Sequence, residues 1–343
     1  GISVSFRDLR SLPIPSARTV PFSGSPALWP LASRSGRTCE DRTMVGGSEE
    51  QTETQLEEQT ELQARVEAAA ALISAAGPLA VLTGAGISTD SGIPDFRGPQ
   101  GVWTLNPEAE RASNIDVYMA EPEVRKATWR VMAGGLWDGV EPNVGHHALV
   151  ELDRRGGLDT LVTQNVDGLH LMAGTDPDRI VEVHGTVRRS MCLGCGEQND
   201  IEVVLERVRL GDEDPRCTRP ACGGLLKRAT VSFGQALFPG DMERADEAAR
   251  RCDLLLAVGS TLGVYPVAAM VPVAVRHGAA VVVVNGSPTE MDHLADVVVR
   301  GSISEVLPAV LSPVSYTQLR AHETLRYLVC RLQHEKKKGG GGG

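Results

Sequence analysis

The sequence predicts an α/β fold with a doubly wound, Rossmann-like parallel sheet, and three observations support this prediction. Short apolar runs of strand length recur along the chain, and most are separated by stretches with helical patterning. The runs are continuous in Val and Leu, which indicates strands covered by helices on both faces. Glycines, hydroxyls and amides directly follow several of these runs. Ligands of such sheets bind beyond the carboxyl ends of the strands, so the site is expected there.

The predicted elements follow one another along most of the chain. Residues 49–76 are charged on one side and Ala-rich on the other, which predicts a helix that ends at Gly77-Pro78. Two further helices are predicted at 241–251 and 264–276. Six apolar runs are the predicted strands of the large sheet: 79–82, 160–163, 180–183, 254–258, 280–284 and 297–299.

The stretch after the first strand, Thr83–Trp103, is a predicted nucleotide pocket. Gly84 and Gly86 allow a sharp turn and a close approach to a ligand, and a helix starting near Ile87 would aim free N–H groups at a pyrophosphate. Thr89 stands where the G-x-G-x-x-G motif has its third glycine, so a hydride-transferring dehydrogenase is disfavoured. The glycines alone would also fit a simple tight turn. The loop that follows adds residues suited to phosphate binding and to covering a reactive ring: Asp95, Phe96 and Arg97.

Two pairs of cysteines predict a metal site. Cys192 and Cys195 are separated by two residues, Cys217 and Cys222 by four, and 21 residues lie between the pairs. Four thiolates at this spacing suit one tetrahedral zinc ion, with reduced core cysteines as the alternative. Four sulfur ligands leave no open position for water, so the zinc would be structural and would hold a small inserted module at about 188–229. Cys252 precedes a buried strand and is expected in the core.

Composition limits the partners of the protein. The chain has 343 residues, 42% of them hydrophobic, and a formal net charge of −10. This charge argues against nucleic-acid and anionic-membrane binding and favours basic protein segments as partners. No apolar run reaches the roughly 18 residues of a membrane span. Seven cysteines, four of them in close pairs, favour a metal site in a reducing compartment, so we expect a cytoplasmic monomer.

The two ends of the chain differ from its body. Residues 1–43 are rich in Ser, Arg and Pro, and Met44 opens an acidic stretch that leads into the first helix. We expect these residues to be a leader outside the domain. The leader is either read-through of the normally untranslated sequence before Met44 or a presequence, and a presequence would imply a mitochondrial protein. The run Lys336–Lys338 followed by Gly339–Gly343 predicts a non-native or disordered tail at 312–343. The catalytic domain is accordingly predicted at 44–311.

Six features in order carry a resemblance to a known family. After the glycine stretch come Thr163–His170 (TQNVDGLH), Val183–Gly185 (VHG), the two cysteine pairs, Val258–Thr261 (VGST) and Val284–Gly286 (VNG). Over roughly residues 62–311 the chain resembles the sirtuins, which are NAD-dependent protein-lysine deacylases, and it looks most like actinobacterial members. The resemblance implies that NAD is consumed as a co-substrate, that the zinc is structural, and that an acyl group passes from lysine to ADP-ribose with release of nicotinamide.

The resemblance also implies roles for single residues. His184 is the expected general base, Asn165 would hold ribose or an ordered water, and Asp167 would bond the nicotinamide amide. Asn165 and Asp167 could instead be turn residues, and Ser260 could be a helix N-cap. The expected NAD-binding residues are Gly84, Ala85, Gly86, Ser88, Asp95, Phe96, Arg97, Gln164, Asn165, Asp167, Gly259, Ser260, Thr261, Asn285 and Gly286.

A substrate peptide is expected to add a strand between the zinc module and the main sheet. The residues implied in peptide binding are Val231, Phe233, Gly234, Gly263, Val264 and Tyr265. Many sirtuins have Phe and Glu where this chain has Ser232 and Gln235. An ungapped match places Trp129 and Met132 where members that prefer acidic acyl groups have Tyr and Arg, so we expect acetyl or aliphatic acyl groups to be preferred over succinyl.

Two other functions remain open at this stage. The same pocket could transfer ADP-ribose to a protein or remove lipoyl-type groups. A non-catalytic zinc-ribbon protein that binds acyl-lysine or an NAD metabolite is the alternative from another class, although the presence of Asn165, Asp167 and His184 argues against it.

Overall fold

The computed structural model describes residues 46–94, 107–135 and 137–312. Of the described residues, 46–51 belong to one unit, as helix, and those from 52 onwards belong to a second, compact unit. The predicted leader, the predicted tail beyond Ser312, and Asp95, Phe96 and Arg97 lie outside the described residues. No helix in the described part of the chain is both long and apolar enough to cross a membrane.

A six-stranded parallel sheet is the centre of the fold. Its strands are β1 (Leu79–Thr83), β2 (Leu158–Thr163), β3 (Ile180–Glu182), β7 (Leu254–Val258), β8 (Ala280–Val284) and β9 (Val297–Val299). The spatial order is β3-β2-β1-β7-β8-β9. Counted along the chain within this sheet, the order is 3-2-1-4-5-6, which is that of the doubly wound dinucleotide-binding fold. The predicted fold class is therefore confirmed.

Helices cover both faces of this sheet, as continuous apolar strands require. The α-helices of the described residues, not all of which contact the sheet, are α1 (Gly46–Ala75), α2 (Pro107–Ala112), α3 (Ile115–Ala120), α4 (Pro122–Ala133), α5 (Val144–Arg154), α6 (Leu169–Ala173), α7 (Ile201–Arg209), α8 (Asp241–Arg251), α9 (Met270–Arg276) and α10 (Ile303–Leu311). Helices α1, α5 and α10 pack on one face with Leu254 and Leu256, and α8 and α9 pack on the other with Leu255 and Ala257. The alternation along β7 follows from the two-residue period of a strand.

A second, three-stranded antiparallel sheet forms the inserted module. It consists of β4 (Gly185–Cys192), β5 (Gln198–Asp200) and β6 (Leu226–Thr230), in the order β5-β4-β6. The module also contains α7 and follows β3 in the chain, so it is inserted between two strands of the large sheet. An inserted module was predicted in this part of the chain, and the bounds of about 188–229 given for it stay a prediction.

Two predicted helices differ from the structure. The helix expected near Ile87 is a 3₁₀ helix over Ala85–Ser91, and its glycine, serine, threonine and aspartate content favours α-helix poorly. The helix expected at 264–276 begins later, with a 3₁₀ turn at Val267–Ala269 followed by α9. Tyr265 precedes Pro266, and a residue before proline is disfavoured in the helical region, so the chain there stays non-helical.

Candidate active site

The carboxyl ends of β1, β2, β3, β7 and β8 bring the predicted segments into contact. The Gly86 N–H donates to the Gly259 carbonyl at 2.8 Å, and the Gly259 N–H donates to the Val284 carbonyl at 2.9 Å. The Gln164 side chain donates to Ser260 Oγ at 2.9 Å. His184 Nδ1 lies 2.9 Å from the Gln164 carbonyl. These contacts confirm that five separate stretches of chain meet at one crevice.

The three glycines at the bottom of this crevice serve close packing of backbone. A Cβ on Gly84 or Gly86 would lie 2.7 to 2.9 Å from the backbone or side chain of Gly259 and Ser260. A Cβ on Gly259 would lie 2.4 Å from the Ile87 nitrogen, and its φ of 64° favours glycine. The glycines were predicted to admit a ligand, and their nearest neighbours are instead the two turns themselves. A role for these turns in NAD binding stays a prediction.

A buried polar network lines the crevice between β1 and β2. Ser88 Oγ donates to Asp167 Oδ2 at 2.8 Å, and Asn165 Nδ2 donates to Ser88 Oγ at 3.1 Å and to the Gly84 carbonyl at 3.2 Å. The Leu169 N–H donates to Asp167 Oδ1 at 2.9 Å, which is the bond of a turn residue. Burial raises the pKa of Asp167, and the bonds from Leu169 and Ser88 act in the opposite direction. Asp167 is therefore a turn residue, and its contact with the nicotinamide amide stays a prediction.

His184 follows β3 and is held in a defined orientation. Its Nδ1 lies at hydrogen-bond distance from a carbonyl, which only accepts, so Nδ1 carries the proton and the lone pair is on Nε2. Burial lowers the pKa of His184, and the bond to the Gln164 carbonyl acts against this. A half-buried imidazole in this state is neutral at physiological pH and able to accept a proton at Nε2.

A cavity at the same edge shows further lining residues that the sequence did not single out. It is lined by Ala85, Ser88, Ile93, Trp137, Asn165, Val166 and Asp167. Trp137 Nε1 is buried without a hydrogen-bond partner among the described residues, and three of the other lining residues are polar. An acceptor atom would suit the Trp137 N–H, and binding of part of NAD at this cavity stays a prediction. No local sequence pattern marks Trp137, which lies in a short stretch between Gly135 and Gly139.

Two buried histidines beneath the crevice were also missed. His170 Nε2 lies 2.9 Å from Thr83 Oγ1, and the His146 and His170 rings lie 4.9 Å apart. The N–H of Asn143 donates to His146 Nδ1, which closes the capping box at the start of α5. Burial lowers the pKa of both histidines. The spacing from Asn143 to His146 is the signal that sequence analysis could have used.

The residues expected at the adenosine half lie at the ends of β7 and β8. Ser260 Oγ accepts from the Leu262 N–H at 3.2 Å, so it stabilises a turn, and no α-helix starts there. Asn285 Nδ2 donates to the Ser287 carbonyl at 2.7 Å. A Cβ on Gly286 would meet only the Gly301 carbonyl, at 3.7 Å, so this side of the turn is open. Contacts of these residues and of Thr261 with NAD stay predictions.

The predicted peptide-binding segment is partly occupied by the protein itself. The Phe233 N–H donates to the Ser113 carbonyl, and the Ile115 N–H donates to the Phe233 carbonyl, both at 3.0 Å. The Phe233 N–H is therefore already paired within the protein, and the added strand at this segment stays a prediction. The side chain of Phe233 is 39% exposed and that of Tyr265 is 62% exposed. Contacts of these side chains, and of Val231, Gly234, Gly263 and Val264, with a peptide stay predictions.

Trp129 and Met132, expected in an acyl pocket, lie on α4. Their exposures are 1% and 4%, and both are packed in an apolar cluster with Cys192, Val204 and Leu205 of the inserted module. The place of these two residues in an acyl pocket, and the preference for acetyl over succinyl, stay predictions.

The four paired cysteines come together as predicted. Their sulfur atoms all lie within 4.8 Å of one another, with 3.6 Å between Cys192 and Cys222 and 3.8 Å between Cys195 and Cys217. Four ligands at 2.3 Å from a tetrahedral zinc ion are about 3.8 Å apart, so the donor set fits zinc. A Cβ on Gly224 would lie 2.8 Å from the Cys192 sulfur, which explains the glycine at this knuckle. Cys252 is buried, as predicted.

Comparisons with known proteins agree with this geometry. The model of the Sir2 family matches residues 84–266. NAD-dependent protein deacetylase 2 of Streptomyces coelicolor is 46% identical over 233 residues, which are 68% of this chain and 96% of the relative. A structure from work on the mechanism and regulation of Sir2 enzymes aligns with a TM-score of 0.65 at 36% identity, over 73% of this chain and 97% of the other.

A further similar structure shows a Sir2 protein with a deacetylated p53 peptide and 3'-O-acetyl ADP ribose. It aligns with a TM-score of 0.63 at 30% identity and covers 71% of this chain and 95% of the other. Fold and site together define a dinucleotide-binding α/β protein with a zinc module of structural type. The chain belongs to the Sir2 family, and the Streptomyces relative confirms the resemblance to actinobacterial members.

Proposed function

We propose that this chain is an NAD-dependent protein-lysine deacetylase that yields nicotinamide and O-acetyl-ADP-ribose. The relative from Streptomyces coelicolor is an NAD-dependent protein deacetylase, and so is a relative from Bradyrhizobium diazoefficiens that is 40% identical over 240 residues. The similar structure that contains a deacetylated peptide with 3'-O-acetyl ADP ribose supports two products of this reaction, the deacetylated lysine and the acetylated ADP-ribose. Acetylated lysines in protein segments are therefore the proposed substrates.

The orientation of His184 is the observation that carries the proposal. Its Nδ1 proton is directed to the Gln164 carbonyl, so the ring cannot rotate without losing this bond, and Nε2 is left as the acceptor. A neutral, oriented imidazole is the group needed to draw a proton from a ribose hydroxyl.

The other residues of the crevice position substrate and exclude water. NAD, when bound, supplies the electrophilic ribose carbon and the nicotinamide leaving group. Asn165 and Ser88 are fixed by their mutual bond and hold polar atoms at the cavity wall. Asp167 presents a carboxylate that is buried beside the same cavity, and Ile93 and Val166 add apolar lining. The protein thereby combines orientation with a low local dielectric.

Nicotinamide release from NAD in the presence of an acetyl-lysine peptide tests this function. Wild-type protein loaded with zinc should release nicotinamide and lower the mass of the peptide by that of one acetyl group. His184→Ala should reduce the rate by about 100-fold or more, the usual contribution of a general base. His293→Ala is the matched control because His293 is exposed and lies in the 3₁₀ turn Asp292–Leu294, outside the crevice.

The mass of the peptide separates the proposed function from its alternatives. A gain of mass on the peptide would indicate transfer of ADP-ribose. Binding of acetyl-lysine peptide without nicotinamide release, in both wild type and His184→Ala, would indicate a non-catalytic reader. Either result would overturn the deacetylase assignment.

A further inference from the structure

Lys227 in β6 is a buried lysine whose described hydrogen-bond partners are neutral oxygens. Its exposure is 3%, and its Nζ donates to the Thr230 carbonyl and, at 3.2 Å, to Gln235 Oε1. A buried cation ordinarily requires a carboxylate, because removing a charge from water is costly. Burial, with a smaller effect of the neighbouring Arg228, lowers the pKa of Lys227 to about 7. A neutral amine has two N–H donors, which match the two acceptors.

The two acceptors lie at the two ends of one loop, residues 230–235. Gln235 Oε1 also accepts from the Ser232 N–H at 3.2 Å, and the Gln235 N–H donates to the Ser232 carbonyl at 3.0 Å. Lys227 and Gln235 thus close the loop by side-chain bonds that the β-ladder does not provide. Loss of either side chain would leave the loop ends without a direct link.

The same loop contacts the proposed general base and a neighbouring helix. The Val231 N–H donates to the His184 carbonyl at 2.8 Å. Phe233 pairs with Ser113 and Ile115 at the start of α3 and keeps its side chain 39% exposed. The loop therefore connects β6, α3 and His184, and it presents an apolar side chain beside the crevice.

We propose that Lys227, acting through Gln235 and the Thr230 carbonyl, is a positioning residue that sets the shape of the 230–235 loop for binding of the acyl-lysine peptide. This inference rests on the proposed deacetylase function. It assigns Lys227 to peptide affinity and not to the proton transfer, since its side chain bonds to loop oxygens and not to His184. Gln235 in place of the Glu of many sirtuins gives the lysine a neutral partner.

Steady-state kinetics on three variants test the inference. Gln235→Leu removes the acceptor at a half-buried position that should tolerate an apolar residue, and Lys227→Met removes the donor at nearly constant volume. Each should raise the KM for an acetyl-lysine peptide about tenfold, as expected for loss of one hydrogen bond, and leave kcat and the KM for NAD within about twofold. Gln235→Glu keeps an acceptor and should retain the wild-type peptide KM within about twofold.

Lys126→Met is the matched control, because Lys126 lies on α4 and pairs with Glu123 at 3.1 Å, away from the loop. It should leave all three constants unchanged. The double variant Lys227→Met/Gln235→Leu should raise the peptide KM no more than either single variant, since both remove the same link.

Three outcomes would overturn the inference while the deacetylase function stands. One is an unchanged peptide KM in Gln235→Leu. Another is a fall in kcat at constant peptide KM, which would indicate that the bond between Lys227 and Gln235 acts on His184 and not on peptide binding. The third is a Gln235→Glu variant as impaired as Gln235→Leu. Absence of deacetylation by wild type would instead refute the proposed function.

Discussion

The ion pair between Arg125 and Asp214 provides a quantitative test of how the inserted module is attached. Arg125 lies on α4, and its Nε and Nη2 donate to Asp214 Oδ1 and Oδ2, both at 2.9 Å. Its Nη1 donates to the Tyr118 and Met119 carbonyls at 3.0 and 2.9 Å. The side chains are 4% and 17% exposed. Asp214→Asn would leave a buried guanidinium without its counter-ion and place an amide N–H opposite one of its donors.

The expected cost follows from this burial. Removing one partner of a buried ion pair costs about 3 to 5 kcal/mol, and the partial exposure of Asp214 favours about 3 kcal/mol. For a domain of this size, that corresponds to a fall in Tm of about 6 to 12 °C. The hydrogen bond from Arg125 also lowers the pKa of Asp214. The stabilisation of the folded protein by ionised Asp214 is therefore complete above the pKa of about 3.9 that Asp has in the unfolded chain. It is lost as the pH falls through the lower pKa of Asp214 in the folded protein.

Thermal unfolding of zinc-loaded protein at neutral pH measures this cost. The control is Asp212→Asn, because Asp212 pairs with Arg207 at 2.7 Å at an exposed position of the same module, where an ion pair is worth about 0 to 1 kcal/mol. The double variant Arg125→Met/Asp214→Asn should lose less than the sum of the single variants, since no unpaired charge remains. Equal Tm values for Asp214→Asn and Asp212→Asn would refute the reasoning.

Three further predictions concern the crevice and its surroundings. Burial lowers the pKa of His184, and the neutral form of its imidazole is the proposed base. In a pH profile, kcat/KM should therefore rise with pH, with the midpoint of the rise below pH 6.5. A midpoint above pH 6.5 would contradict this. The pKa of Lys227 is about 7 in the folded protein and about 10.5 in the unfolded chain, so between these values only the unfolded chain keeps this proton. The free energy of unfolding, measured with urea, should therefore rise from about pH 7 to 10.5. The rise should be smaller in Lys227→Met. Gly259→Ala should cost at least about 2 kcal/mol in urea unfolding, because its Cβ would meet the Ile87 nitrogen at 2.4 Å. Gly278→Ala, also at positive φ but with open space around the Cβ, should cost less, and equal costs would contradict the argument.

The sequence predicted the large sheet well because its strands are buried on both faces. The runs 254–258, 280–284 and 297–299 coincide with β7, β8 and β9, since continuous apolar residues leave little choice of element. The positions of Asn165, Asp167 and His184 followed from the rule that sites lie beyond strand ends. The cysteine spacing predicted the metal module for a similar reason, because four thiolates permit few arrangements.

The remaining features depend on contacts between distant segments, which no local pattern encodes. Trp129 and Met132 pack on a module that lies more than 50 residues further along the chain, and no local pattern predicts this packing. The pairing of Phe233 with Ser113 is equally non-local. The hydrogen bonds of buried Lys227 are to the loop after β6, through the Thr230 carbonyl and the Gln235 side chain, and no motif marks them. The element after β1 lies where a helix was predicted, but its weak helix formers give a 3₁₀ helix and not an α-helix.

The pairing of Gly185 with Thr230 has a consequence for how such proteins diversify. The first strand of the inserted module starts directly after His184, and its last strand ends at Thr230, so entry and exit of the insertion are joined at one pair of residues. A Cβ on Gly185 would lie 2.0 Å from the Ala229 carbonyl, so this closure admits only glycine. A change in length beyond that junction would leave this pair of residues in place, so we expect the outer part of the module to tolerate such a change without displacing His184.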